Sequence, residues 1–274
     1  MLPNRTCPNS NCANRGILTL DANSLFFLIE GTIRYVQGQY LDLTTNTSRV
    51  PCILEELDSY LGIIKGCCSL DGTLYISDWV FNEVSLDDRR EIIRKGLIEL
   101  KKYSNAQRGQ MLQVLRSHFP RPTVVSEQEI RAMRGLFPNP EICPHDRDAS
   151  LIIVACGLAT CGQPTIVLTS DPDFAAPIKW LVRQSVVTLS EGHTFPTDRI
   201  LNRTYFHFLL RLHDCCGLAS DRYKPLAEAY FNAQVQRLPR LRRNNVVKRI
   251  TDELQEMWKI HTKSVQYKVA GASL

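Results

Sequence analysis

Apolar and polar positions divide the chain into short apolar runs and longer stretches with helical spacing. Residues 17–20, ILTL, form a brief run that ends at Asp21, and SLFFLIEGTI then resumes at helical intervals. In CILEELDSYLGIIKG, Ile53, Leu57, Leu61 and Ile64 recur three or four residues apart, as on the buried face of an amphipathic helix. Gly66 and the Asp71-Gly72 pair are expected to end that helix. TLYIS, 73–77, reads as a strand, and DWVFNEV as a helical turn with Asp78 as its cap. Helical spacing runs through 87–117, carried by Ile92, Ile93, Leu97, Leu100, Met111, Leu112 and Leu115, until Pro120 and Pro122 close it. TVVS is a brief strand, and SEQEIRAMRGLF opens with the Ser-x-x-Glu of a capping box.

Asp148 then starts DASLIIVACGLA, a strongly apolar helix, and PTIVLTS, 164–170, is the clearest strand, running directly into Asp171. SVVTLSEG, 185–192, reads as a further strand, with helix beyond it. Apolar strands separated by helices predict an α/β fold, a parallel sheet covered on both faces. Right-handed crossovers place the carboxyl ends of such strands along one edge, where open sheets bind their ligands. Asp21 and Asp171 both fall at that edge.

Composition fits a globular protein, with 44% hydrophobic and 22% charged residues. No apolar run reaches membrane-spanning length, and MLPNRTCPNSNC lacks the core of a signal peptide, so a cytoplasmic protein without a membrane partner is expected. The ten cysteines then read as mostly reduced thiols. Cys7 and Cys12 have the spacing of half a zinc knuckle, but zinc needs four ligands and no matching pair follows nearby. Cys156 and Cys161 share the spacing within an apolar segment and read as core. Charge is uneven: residues 1–178 hold 17 Lys+Arg against 20 Asp+Glu, and residues 179–274 hold 16 against 8. A mildly acidic body with a basic tail suits an enzyme of nucleic acid whose acidic part binds metal ions.

The candidate chemistry lies in the acids. Asp21 ends the first strand, Glu83 follows the second by one helical turn, Asp148 begins a helix, and Asp171 ends the strand after it, with Asp173 two residues on. Carboxylates converging on one edge repel one another unless something neutralises them. Hard divalent cations, magnesium or manganese, prefer such oxygens.

LTLDANSLFFLIEG, YISDWVFNEV, DASLIIVACGLA and TIVLTSDPDF resemble, in order, the acidic motifs of PIN-domain nucleases. The resemblance covers roughly residues 15–192 and implies a three-layer α/β/α sandwich and metal-dependent cleavage of RNA, less often DNA. It implies that Asp21, Glu83, Asp148 and Asp171 ligate Mg2+ or Mn2+, with Asp173 auxiliary and with Asn23 and Ser170 as polar neighbours. A cation held there would acidify a water for attack on phosphorus, giving 5′-phosphate and 3′-hydroxyl ends. Glu56, in VPCILEELDSYL, is the alternative second acid, although Glu55-Glu56 fits the exposed side of its helix. Taken singly, Asp21 and Asp148 also suit helix caps, and Asp171 before Pro172 suits a turn.

The organisation expected is an N-terminal arm, 1–14, a PIN-like domain, 15–192, and a basic helical extension, 193–274. Residues 229–251 contain no acid but six bases: Arg237, Arg240, Arg242, Arg243, Lys248 and Arg249. They are candidates for salt-sensitive contact with a phosphate backbone. His145 reads as a loop residue near Asp146 and Asp148, and His213, in LHDCCG, as a helix-end residue or a metal ligand with Cys215 and Cys216. Three functions stay open: an endoribonuclease in defence, toxin action or RNA processing; a catalytically inactive PIN-like module binding RNA or protein; and a phosphohydrolase using Asp171 and Asp173. A homodimer or a protein partner is a further expectation.

Overall fold

The computed structural model describes residues 16–84, 92–93, 95–119, 121–169, 171, 174–189, 192, 194–215, 218–237, 252, 255 and 259. Its centre is a parallel sheet of four strands in the order β2-β1-β3-β6: β1 (Gly16–Leu20), β2 (Ser69–Tyr75), β3 (Thr165–Thr169) and β6 (Ile200–Thr204). All five residues of β1 and all five of β3 are buried. Successive strand residues point to opposite faces, so unbroken burial means that both faces are covered. This is the layering expected of a three-layer sandwich.

The helices that cover the sheet follow from the apolar spacing. Helix α1 (Ala22–Gln39) is buried almost all round from Ala22 to Val36, as only an enclosed core helix is. It packs against α2 (Asn46–Cys68) and, from the other end of the chain, α9 (Ser220–Arg237). Gly31 permits the second contact: a Cβ there would lie 2.6 Å from Leu226 Cδ2 and 2.7 Å from Leu226 Cα. Gly31→Ala is therefore expected to lower stability by about 1–3 kcal/mol through overpacking. Thermal denaturation checks this, and an unchanged midpoint would show that the α1–α9 contact is looser.

Between β2 and β3 the described residues carry α3 (Asp78–Glu83), α4 (Asn105–Ser117), α5 (Glu127–Gly135) and α6 (Asp146–Ala159). The Ser126 capping box of α5 forms as the sequence predicts. TVVS contributes a single parallel bridge, Ser77 to Thr123, at the β2 edge. The helix expected through 87–117 is not continuous: Gly96 takes φ +77°, a short 3-10 turn occupies Leu100–Lys102, and Ser104 caps α4 afresh.

After β3 come α7 (Ala175–Gln184), a segment with no assignment from sequence, then β4 (Val186–Thr188) and β5 (Thr194–Pro196). The strand read at 185–192 forms an antiparallel hairpin with β5, outside the central sheet. The chain beyond it is not helical throughout, because β6 pairs with β3 before α8 (Tyr205–Cys215) and α9 begin. The central sheet thus takes an edge strand from beyond residue 192. In β6 only Ile200 is fully buried, so the run ILNRT lacks the continuous apolar signal of β1 and β3.

Candidate active site

With strands in this order, the chain leaves β1 toward β2 on one side and reaches β3 on the other. The carboxyl ends of β1 and β3 therefore flank the topological switch point, the usual ligand crevice of an open α/β sheet. Asp21 stands there. It leaves β1 with extended backbone (φ −84°, ψ 163°) and caps α1, its Oδ1 accepting the Ser24 N–H at 2.7 Å. Its Oδ2 accepts the Thr169 hydroxyl at 2.8 Å, and the same Thr169 oxygen accepts the Asp171 N–H at 3.0 Å. The Asp21 N–H donates to the Leu168 carbonyl at 3.0 Å, which joins the two strand ends directly. Asp21 is both the cap foreseen as its ordinary role and a carboxylate at the ligand edge, 7% exposed.

Two cations connect the acidic stretches, Arg147 the third to the second and Lys95 the second to the first. Glu83 is the last residue of α3, and its Oε1 forms ion pairs with Arg147 Nη1 at 2.8 Å and Lys95 Nζ at 3.9 Å. Lys95 Nζ donates to Asn23 Oδ1 at 2.8 Å and sits 4.8 Å from the centre of the Phe26 ring. Asn23 follows Asp21 by two residues, and Arg147 precedes Asp148. A buried hydroxyl pair fixes α6 beside α3: Ser150 gives its proton to the Arg147 carbonyl, so Ser77 donates to Ser150 across 2.7 Å. Ser77 also caps α3 by accepting the Val80 N–H, the role read for Asp78, which occupies the first helical position instead.

Asp148 does not begin its helix. α6 starts two residues earlier behind His145, and Asp148 lies half-buried in its first turn, where a carboxylate suits the positive end of the helix. His145 caps that helix without a side-chain hydrogen bond. Asp171 is half-buried after β3. Ser170, Asp173, Arg240, Arg242, Arg243, Lys248 and Arg249 lie outside the described residues, as do Cys7, Cys12 and Cys216 and the side chains of Cys215 and Arg237.

Glu56 has a different setting. It is buried rather than on the exposed side of α2, and it accepts Arg222 of α9 at 3.1 Å. Arg222 also lies over the Tyr35 and Tyr60 rings. Burial pushes the Glu56 carboxyl up, against the opposing pull of Arg222. His213, in the last turn of α8, bonds the Leu218 carbonyl through Nδ1 at 2.7 Å and stacks on Tyr223. Cys156 is core, its thiol pushed up to about 12 by burial and so far from the thiolate that zinc requires. Cys161 lies past the helix end and is exposed, contrary to the core reading.

Among the described residues no three His, Cys, Asp or Glu side chains form a group able to hold a metal ion. The donor chemistry still fits magnesium or manganese, since a hard octahedral cation binds through one or two carboxylates and keeps several waters. The Asp171 N–H, the Thr169 hydroxyl and Asp21 Oδ2 tie together the two strand ends that carry these acids. Among the described residues no helix is long and apolar enough to cross a membrane. Comparison with known protein families, curated proteins and solved structures yields no match.

Sequence reasoning passed over Thr169, Arg147 and Lys95. Thr169 carries a signal, a hydroxyl two residues before an acid that ends a strand, and Arg147 stands between two acids of one motif. Lys95 carries none: its partner Asn23 is 72 residues away.

Proposed function

We propose that the chain is a divalent-metal-dependent endoribonuclease of the PIN class, which its four acidic motifs resemble. The observation that carries this reading is a run of contacts linking the four acidic stretches at one sheet edge. It passes from the Asp171 N–H through Thr169 to Asp21, and, two residues on, from Asn23 through Lys95 and Glu83 to Arg147 beside Asp148. Asp21, Asp148 and Asp171 are the residues that would hold the ion. When bound, a divalent ion supplies an acidic water and compensates charge at the scissile phosphorus. The chain's own part is orientation: Ser24 N–H and the Thr169 hydroxyl fix the plane of the Asp21 carboxylate. The basic stretch from Arg237 to Arg249 would hold the RNA backbone.

A catalytically inactive module that binds RNA or protein is the second reading. It draws on Glu83 being engaged by an arginine and a lysine. Incubation with single-stranded and structured RNA and manganese separates the two. Cleavage by the wild type that stops with EDTA and is missing in Asp171→Asn is expected; binding of RNA without cleavage favours the inactive module.

A further inference from the structure

Resting on the reading of the chain as a nuclease of RNA, we infer that Arg147 grips a backbone phosphate of single-stranded RNA. Arg147 is the second residue of α6, where the positive end of the helix disfavours a cation. Its neighbour Asp146 is already paired with Arg134 at 2.6 Å, so the charge that holds Arg147 comes from α3: Glu83 Oε1, in an ion pair at 2.8 Å. Lys95 shares that oxygen at 3.9 Å, so one carboxylate faces two cations and the three side chains together carry a net positive charge. Access to them differs. Lys95 is 11% exposed and Glu83 20%, whereas Arg147 is 58% exposed.

A guanidinium carries five N–H donors in a planar fork that matches two phosphate oxygens at once. The pair with Glu83 runs through Nη1, and more than half of the side chain stays open to an anion arriving from solvent. The fork is also held in advance. Ser77, which caps α3, donates to Ser150 of α6, and Ser150 donates to the Arg147 carbonyl. The backbone of Arg147 and the helix bearing its anchor are therefore fixed to each other, and little ordering remains to be done on binding. Through Glu83 and Lys95 the arginine is joined to Asn23, in the first turn of α1 at the ligand edge.

The test measures binding of a single-stranded RNA oligomer to the full chain in EDTA, by fluorescence anisotropy across a salt series. Arg147→Gln should weaken binding about 10-fold, the scale of one hydrogen bond to a charged group. It should also make the slope of log affinity against log salt shallower by about 0.7, one phosphate contact on a single strand. Arg199→Gln is the control. It removes the same charge from an exposed arginine that precedes β6 and so stands at the opposite, amino-end edge of the sheet, and it should leave the slope unchanged. On the wild type, RNA should protect Arg147 from phenylglyoxal and leave Arg199 reactive, read by mass spectrometry; this footprint decides if Arg147→Gln does not fold. An unchanged slope, equal losses in both variants or an unprotected Arg147 overturns the inference and leaves the nuclease reading to its cleavage assay. The expected binding effects without manganese-dependent cleavage overturn the nuclease reading alone. No RNA bound by the wild type overturns both.

Discussion

Asp21→Asn is expected to reduce manganese-dependent RNA cleavage by at least about 100-fold, because outer-shell partners alone are worth roughly 10–100-fold at metal sites. The substitution is nearly isosteric. Asparagine is as good an N-cap as aspartate, so the bond from the Ser24 N–H survives and α1 keeps its start. What is lost is the negative charge, together with the oxygen that accepts the Thr169 hydroxyl. An amide placed there presents a donor to a hydroxyl that already accepts the Asp171 N–H, so Thr169 must turn its proton elsewhere. The stability cost should stay near 1 kcal/mol, the usual worth of one such bond. Cleavage rates and thermal midpoints measured on the same preparation decide the matter. Activity within a few-fold of wild type would remove Asp21 from the chemistry.

Glu30→Ala should be the most destabilising single change, at about 3–5 kcal/mol by urea denaturation, the range for breaking a buried charge–partner arrangement. Glu30 is 0% exposed in the middle of α1. Its Oε1 accepts the Glu99 N–H and its Oε2 the Leu100 N–H, both at 2.9 Å, and Arg34 Nη2 adds a third contact at 3.2 Å. One carboxylate therefore ties the core helix to the 3-10 turn at Leu100–Lys102, shortly after Lys95. Burial pushes its carboxyl above the ordinary value, with the two backbone N–H groups and Arg34 pulling the other way. A group whose folded pKa is raised binds its proton more tightly in the folded state. Its contribution to stability therefore falls as pH rises from the unfolded carboxylate value through the folded one. Glu30→Gln removes that titration, so wild type minus Glu30→Gln should decline with rising pH across this window. A flat or rising difference would contradict the assignment.

The parts of the fold legible from sequence are those whose signal is local. β1 and β3 are continuous apolar runs ending in acids, α5 announces its capping box, and the apolar face of α2 repeats at helical intervals. β6 was missed because strand pairing supplies what its composition does not: at an edge of the sheet Leu201 to Thr204 are only half-buried. The start of α6 was misplaced because Asp146 and Asp148 are equally good first-turn acids, and periodicity cannot choose between them. At the site, the acids that end strands could be read because topology forces them to one edge. The partners that orient them are set by contacts over 148 residues for Thr169 with Asp21 and 72 for Lys95 with Asn23, which no spacing rule encodes. Glu56 looked exposed for the same reason: Arg222, its partner, lies 166 residues away.

The most direct test of the account is a crystal of the full chain soaked in manganese and measured at the manganese absorption edge. The account predicts one anomalous peak beyond the carboxyl ends of β1 and β3, with oxygens of Asp21, Asp148 or Asp171 about 2.1 Å away. No peak there at saturating manganese would contradict it.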